Sequence, residues 1–110
     1  MIRAVSTIIA ILILGVLTSC GGSPKESVVV YTALDEIYSR PILDAFTADT
    51  GIAVKAVYDT EAAKTTGLVT RLLNESGRPR CDVFWNNEVA QTILLKDRGV
   101  LAPFEPAGSN

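Results

Sequence analysis

Three short runs, Val28-Val29-Val30-Tyr31-Thr32, Ile52-Ala53-Val54-Lys55-Ala56-Val57-Tyr58 and Cys81-Asp82-Val83-Phe84-Trp85, combine β-branched, aromatic and apolar residues, and each leads into a segment long enough for a helix. The first run is continuous rather than alternating. That suits a central strand of a parallel sheet, which is covered on both faces. The first helix is expected over about Glu36 to Asp49, with Asp35 as its cap, Ile42, Ala45 and Phe46 facing inward and Tyr38 one turn earlier. Pro41 either kinks its first turns or delays the regular helix to Ser39-Arg40, and Thr50-Gly51 closes it. A second helix runs through about Asn74, with Leu68, Val69, Leu72 and Leu73 on its apolar side. Gly67 weakens it by roughly 1 kcal/mol relative to Ala. A third, Glu88 to Asp97, carries Val89, Ile93 and Leu94 and stops at Gly99, after which Val100-Leu101 pack back. The order β-α-β-α-β-α calls for right-handed crossovers, and the expected fold class is α/β, a parallel sheet with flanking helices.

Composition removes several chemistries. The 110 residues include no His, which excludes Ser-His-Asp and Cys-His catalysis and His-ligated metals. A net charge of −2 gives no basic footprint, so no nucleic acid partner is expected. Gly21-Gly22 precedes the first strand and is therefore not a phosphate-binding loop.

The excess hydrophobicity, a mean hydropathy of +0.32, sits at the front of the chain. Arg3 is followed by an unbroken apolar run from Ile8 to Leu17, the length of a secretory signal and well short of the roughly 20 residues of a membrane-spanning helix. The run ends in Leu17-Thr18-Ser19-Cys20-Gly21, which resembles a bacterial lipoprotein signal. That resemblance implies a signal peptide over 1–19, cleavage before Cys20 and lipidation of the Cys20 thiol. Residues 20–27 are then the lipidated Cys20 and a flexible tether, Gly-Gly-Ser-Pro-Lys-Glu-Ser, so that the acyl chains on Cys20 hold the folded part near a membrane. Cys81 is left without a disulfide partner or a His base, and reads as a structural cysteine at the start of a strand.

In an open α/β sheet, ligands collect at the carboxyl ends of strands. Thr32 and Asp35, Thr60 and Glu61, and Asn86, Asn87 and Glu88 all fall there, and are the candidate ligand-binding residues. Their hydroxyl, amide and carboxylate groups suit a hard cation or an amine, and helix-terminal N–H groups suit an anion. Each also has a plain role: a cap for Asp35, first-turn carboxylates for Glu61 and Glu88, and turn geometry for Asn86 and Asn87. Trp85 is either core or ligand platform, and Tyr31 and Tyr58 lie where packing is favoured. Asp35, Glu61 and Glu88 supply carboxylates of the kind a glycosidase uses, but no motif specifies such chemistry. No catalytic residue and no resident cofactor is expected.

Val29-Val30-Tyr31-Thr32-Ala33, Pro41-Ile42-Leu43-Asp44-Ala45-Phe46, Thr50-Gly51-Ile52-Ala53-Val54, Cys81 to Glu88, and Gly99-Val100-Leu101-Ala102-Pro103-Phe104 together resemble the N-terminal part of bacterial ABC-transporter extracellular solute-binding proteins, in the iron(III)-binding and related branch. The resemblance implies that 28–110 is one lobe of a two-lobed periplasmic-binding fold, ending before the second lobe. It also implies solute capture for a cognate ABC permease, the partners being that permease, the membrane and the solute, with the protein monomeric and facing the periplasm or extracytoplasmic space. In iron-binding relatives a His after the opening strand and a Glu after the third strand are metal ligands. The corresponding positions here are about Asp35 and Asn87, with Glu88 immediately following. Asp35 and Glu88 are thus the implied first-lobe oxygen ligands for Fe³⁺ bound with a synergistic anion. Phosphonates, thiamine and polyamines are the alternative solutes for the same architecture, and a lipoprotein without useful ligand affinity is the alternative to solute capture.

Overall fold

The computed structural model describes residues 25–59 and 66–108. Strand β1 (Ser27–Thr32) is followed by helix α1 (Glu36–Thr50), strand β2 (Ala53–Tyr58), helix α2 (Thr66–Asn74), strand β3 (Val83–Trp85) and helix α3 (Val89–Asp97). The three strands form one parallel sheet in the order β2-β1-β3. The chain is a small α/β domain with helices on both faces of a parallel sheet. The leader, Cys20 and the candidates Thr60 and Glu61 lie outside the described residues. Among the described residues no helix is long and apolar enough to cross a membrane.

Register decides which side chains share a face. Val28, Val30 and Thr32 stand opposite Val54, Ala56 and Tyr58, and Val30 and Thr32 also stand opposite Val83 and Trp85. Val29 and Tyr31 point the other way, in line with Val57 and Phe84. This second face is where the core lies. Tyr31, Leu68, Val69, Leu72 and Leu95 are buried together there beneath α2 and α3, with Val29, Val57, Phe84, Cys81 and Val100 packed around them. The α2 stripe is the one its periodicity predicts. The Cys81 thiol, half-buried, donates to the Val83 carbonyl at 3.0 Å, and burial pushes its pKa up.

Helix α1 lies over the first face, but is rolled by about one residue from the expected phase. Ser39 is fully buried and Leu43 and Thr47 are half-buried, whereas Tyr38 and Ile42 are 70% and 57% exposed. Small side chains at 39 and 47 let the helix approach β2 closely, and the Ser39 hydroxyl satisfies itself on the Asp35 carbonyl at 3.1 Å. Pro41 neither breaks nor delays the helix, which runs through it to Thr50. Gly51 then takes φ +75° and its N–H donates to the Thr47 carbonyl at 2.9 Å, a left-handed cap that a side chain would strain.

Helix α3 also differs from expectation. Leu95 is the buried residue, while Val89 and Ile93 are 73% and 52% exposed. Strand β3 is shorter than the apolar run because Asp82 substitutes its side chain for backbone. Its carboxylate accepts the Val29 N–H at 2.8 Å while its own N–H donates to the Val29 carbonyl at 2.9 Å.

One polar group reaches into the core. The Tyr31 hydroxyl, on a residue 1% exposed, donates to Glu75 at 2.9 Å. Glu75 also accepts from Arg71 Nε at 2.9 Å, and the Arg71 guanidinium lies 4.7 Å above the Tyr31 ring. The Arg71 hydrogen bond, followed by that from Tyr31, outweighs desolvation and holds the Glu75 carboxyl below its ordinary 4.5. Burial, followed by donation to Glu75, raises the Tyr31 hydroxyl above its ordinary 10.0. A depressed carboxyl contributes stability that is whole above the unfolded value and is lost as pH falls through the folded one. A raised phenol contributes stability that is whole below its unfolded value and is lost as pH rises through the folded one. Glu75→Gln is therefore expected to flatten the acid limb of stability below pH 4.5. Urea midpoints measured across that limb check it, and an unchanged acid slope would exclude the Glu75 assignment.

Candidate functional site

The chain leaves β1 toward β2 on one side and returns to β3 on the other, with α1 and α3 on opposite faces of the sheet. The loops after β1 and β3 thus diverge at the carboxyl end of the sheet, the place where open α/β sheets receive ligands. The Ala33 N–H donates to the Trp85 carbonyl at 3.0 Å and ties the two strand ends together.

The β1 side is built from Thr32 to Asp35. Thr32 is fully buried and its hydroxyl oxygen accepts the Leu34 N–H at 3.2 Å, shaping the turn into α1. Asp35 precedes the helix in extended geometry. Its carbonyl accepts the N–H groups of Tyr38 and Ser39 at 3.0 and 3.1 Å. Its carboxylate makes no capping bond and is exposed. The first N–H groups of α1 are consequently uncapped by side chains.

The β3 side has the same design. Glu88 is the N-cap residue of α3, again extended, exposed and without a side-chain capping bond. Asn86 spends its side chain on the loop: Oδ1 accepts the Glu88 N–H at 2.8 Å and Nδ2 donates to Thr92 Oγ1 at 3.3 Å. Asn87 is exposed between them. Two helix N-termini, each with partial positive charge, and two carboxylates that make no hydrogen bond among the described residues therefore lie at this end of the sheet. Such a rim offers oxygen ligands to a hard cation, acceptors to an amine and N–H donors to an anion.

No family model, curated protein or solved structure matches this chain.

Of the seven sequence candidates, Asp35, Asn86, Asn87 and Glu88 lie in the loops after β1 and β3, with Thr32 buried at the end of β1. At the third strand end, Asp59 donates its N–H to the Thr32 carbonyl at 3.2 Å, and its carboxylate accepts the Leu68 N–H at 3.2 Å, so it steadies the start of α2. Among the described residues no group of three or more His, Cys, Asp or Glu side chains is placed to hold a metal ion. Tyr58 packs its ring beneath Arg40, whose guanidinium lies 5.4 Å from the ring centroid, and its buried hydroxyl has no hydrogen-bond partner among the described residues.

A second feature escaped the sequence reading. Beside Trp85 the first face of the sheet opens into an apolar groove of about 200 Å³, lined by Val28, Val30, Val54 and Val83 below and Leu43 and Phe46 of α1 above. The groove exists because α1 sits toward β2 and leaves the β3 side of that face partly bare. The signal for it was the apolar character of Phe46, read as inward-facing but left 42% exposed at the groove.

Proposed function

We propose that the protein captures a small solute between the loops that follow β1 and β3, as the lipid-anchored, extracytoplasmic binding component of an ABC importer. The observation that carries the reading is the rim itself. Asp35 and Glu88, from helices on opposite faces of the sheet, both leave their carboxylates uncommitted at the carboxyl end of strands whose ends are tied together. Oxygen donors of this kind suit ferric iron, alone or with an anion held by helix N–H groups. The lipoprotein-like start at Cys20 and the strand and loop motifs support the importer context. A phosphonate, thiamine or a polyamine is the alternative solute, and each leaves a different mark on the same two carboxylates.

The sole tryptophan, Trp85, ends β3 immediately before the rim, and its emission, corrected for absorption by each solute, reports occupancy. Titrating the full chain with ferric nitrilotriacetate, spermidine, thiamine and methylphosphonate is expected to change Trp85 fluorescence with at least one of them. For a cationic solute, Glu88→Gln and Asp35→Asn should each weaken binding by about tenfold, the scale of one charge-assisted contact. Both residues are exposed, so the urea midpoint should stay where it is. A Trp85 signal indifferent to all four solutes, or binding untouched by both substitutions, rejects this assignment.

A further inference from the structure

We infer that the apolar groove beside Trp85 is a binding site for a fatty acyl chain, and that its occupant is a chain carried by Cys20 of the same molecule. The occupant rests on the lipoprotein part of the functional reading, and the ligand class rests on the groove itself. None of the side chains that line it, among them Val28, Val54, Val83 and Phe46, bears a charge, a hydroxyl or a carboxamide. An ion, an amine or a phosphonate would lose its hydration there without gaining a partner. The groove is also elongated. Its lining begins at Val28 on β1 and reaches Trp85, which stands opposite Thr32 at the far end of that strand, a run of about 13 Å. A volume of about 200 Å³ drawn out over that length is narrow. A helix, about 10–12 Å across with its side chains, overfills it, whereas a single unbranched hydrocarbon chain lies along it.

Position selects the chain on Cys20. The groove starts at the end of β1 where the tether arrives. Cys20 precedes Val28 by eight residues, a reach of about 26–29 Å when fully extended. An acyl chain on Cys20 therefore meets the groove as an intramolecular ligand, at the high effective concentration that a short linker confers. The groove also has apolar surface to cover. Val83 on its floor and Phe46 on its wall are 48% and 42% exposed, and hydrocarbon lying between them takes both out of water.

Dibromostearate, added below its micellar concentration, reads the groove, because its bromine atoms quench an indole on contact and Trp85 is the sole tryptophan. The full chain carrying Cys20→Ser, which cannot be acylated there, is expected to lose most of its Trp85 emission. Val83→Asp should raise the concentration needed by about tenfold and Val83→Leu should not. Ile93→Asp, similarly exposed but on α3 over the opposite face, should leave the titration unchanged. Phe46→Ser, on the helix wall, repeats the test should the urea midpoint show that Val83→Asp unfolds the domain. The chain acylated on Cys20, verified by the mass of its Cys20 peptide, should resist quenching because its own hydrocarbon fills the groove. No quenching of the Cys20→Ser chain, or quenching untouched by the groove substitutions, overturns the acyl site. Quenching that appears only once residues 8–17 are deleted gives the groove to that apolar run instead, and a dimer that Val83→Asp dissociates gives it to a second copy. Equal quenching of acylated and unacylated chains overturns Cys20 as the source in favour of free fatty acid. A Cys20 peptide without acyl mass overturns the lipoprotein reading and the occupant together, while the dibromostearate titration still judges the groove.

Discussion

Leu95→Ala is expected to abolish a cooperative urea transition followed by Trp85 fluorescence. Leu95 is fully buried and sits among Tyr31, Leu68, Val69 and Leu72, where α3 meets α2 over the sheet. Truncating a fully buried leucine costs about 2–5 kcal/mol, part lost transfer energy and part cavity. A domain of this size has a total stability of only about 5 kcal/mol. The substitution therefore removes most of what holds the folded state. Ile93→Ala, two residues away on the same helix but 52% exposed, should shift the midpoint by about 0.5 kcal/mol or less. Equal effects at 93 and 95 would mean that α3 is rotated from its observed phase.

Pro41→Ala should act in the opposite direction. Pro41 is the sixth residue of α1, beyond the first turn in which proline is tolerated, and it offers no N–H to the Ile37 carbonyl. An interior proline is about 3 kcal/mol less favourable than alanine. The unfolded chain gains about 1 kcal/mol of conformational freedom when proline is removed, which offsets part of the benefit. A net stabilisation of about 1–2 kcal/mol remains, visible as a higher urea midpoint with an unchanged slope. A lower midpoint would show that the ring makes contacts worth more than the missing hydrogen bond.

The strands were legible because a buried parallel strand needs only a short apolar run, and all three runs became strands. Helix α2 was legible because Leu68, Val69, Leu72 and Leu73 form one stripe with polar residues opposite. The phases of α1 and α3 were not. In α1, apolar residues at 37, 38, 42, 43, 45 and 46 spread around much of the helix, and close approach to β2 selected the side carrying Ser39 and Thr47. In α3, Val89, Ala90, Ile93, Leu94 and Leu95 give no preferred side, so tertiary packing alone chose Leu95. That the candidates lie at the carboxyl ends of strands followed from the β-α-β-α-β-α order, whereas the strand order β2-β1-β3, which fixes where the loops diverge, did not. The division of labour among the candidates did not either. Residue type nominates Thr32, Asn86 and Glu88 alike, whereas only coordinates distinguish a buried turn hydroxyl, a carboxamide locked on Thr92 and a free carboxylate.

The position of β1 has a kinetic consequence. Among the described residues it is the first strand in sequence and the middle strand of the sheet, so both of its ladders depend on segments made later. As the polypeptide emerges from its N-terminus, Val28 to Tyr31 have no partner until β2 follows, and their second edge stays bare until β3 appears more than fifty residues downstream of β1. Closing a parallel pair over such a separation carries a loop entropy that local contacts do not, which makes the step slow. The most aggregation-prone stretch of the domain is thus also the one that waits longest, and a holding chaperone has its natural target in this strand.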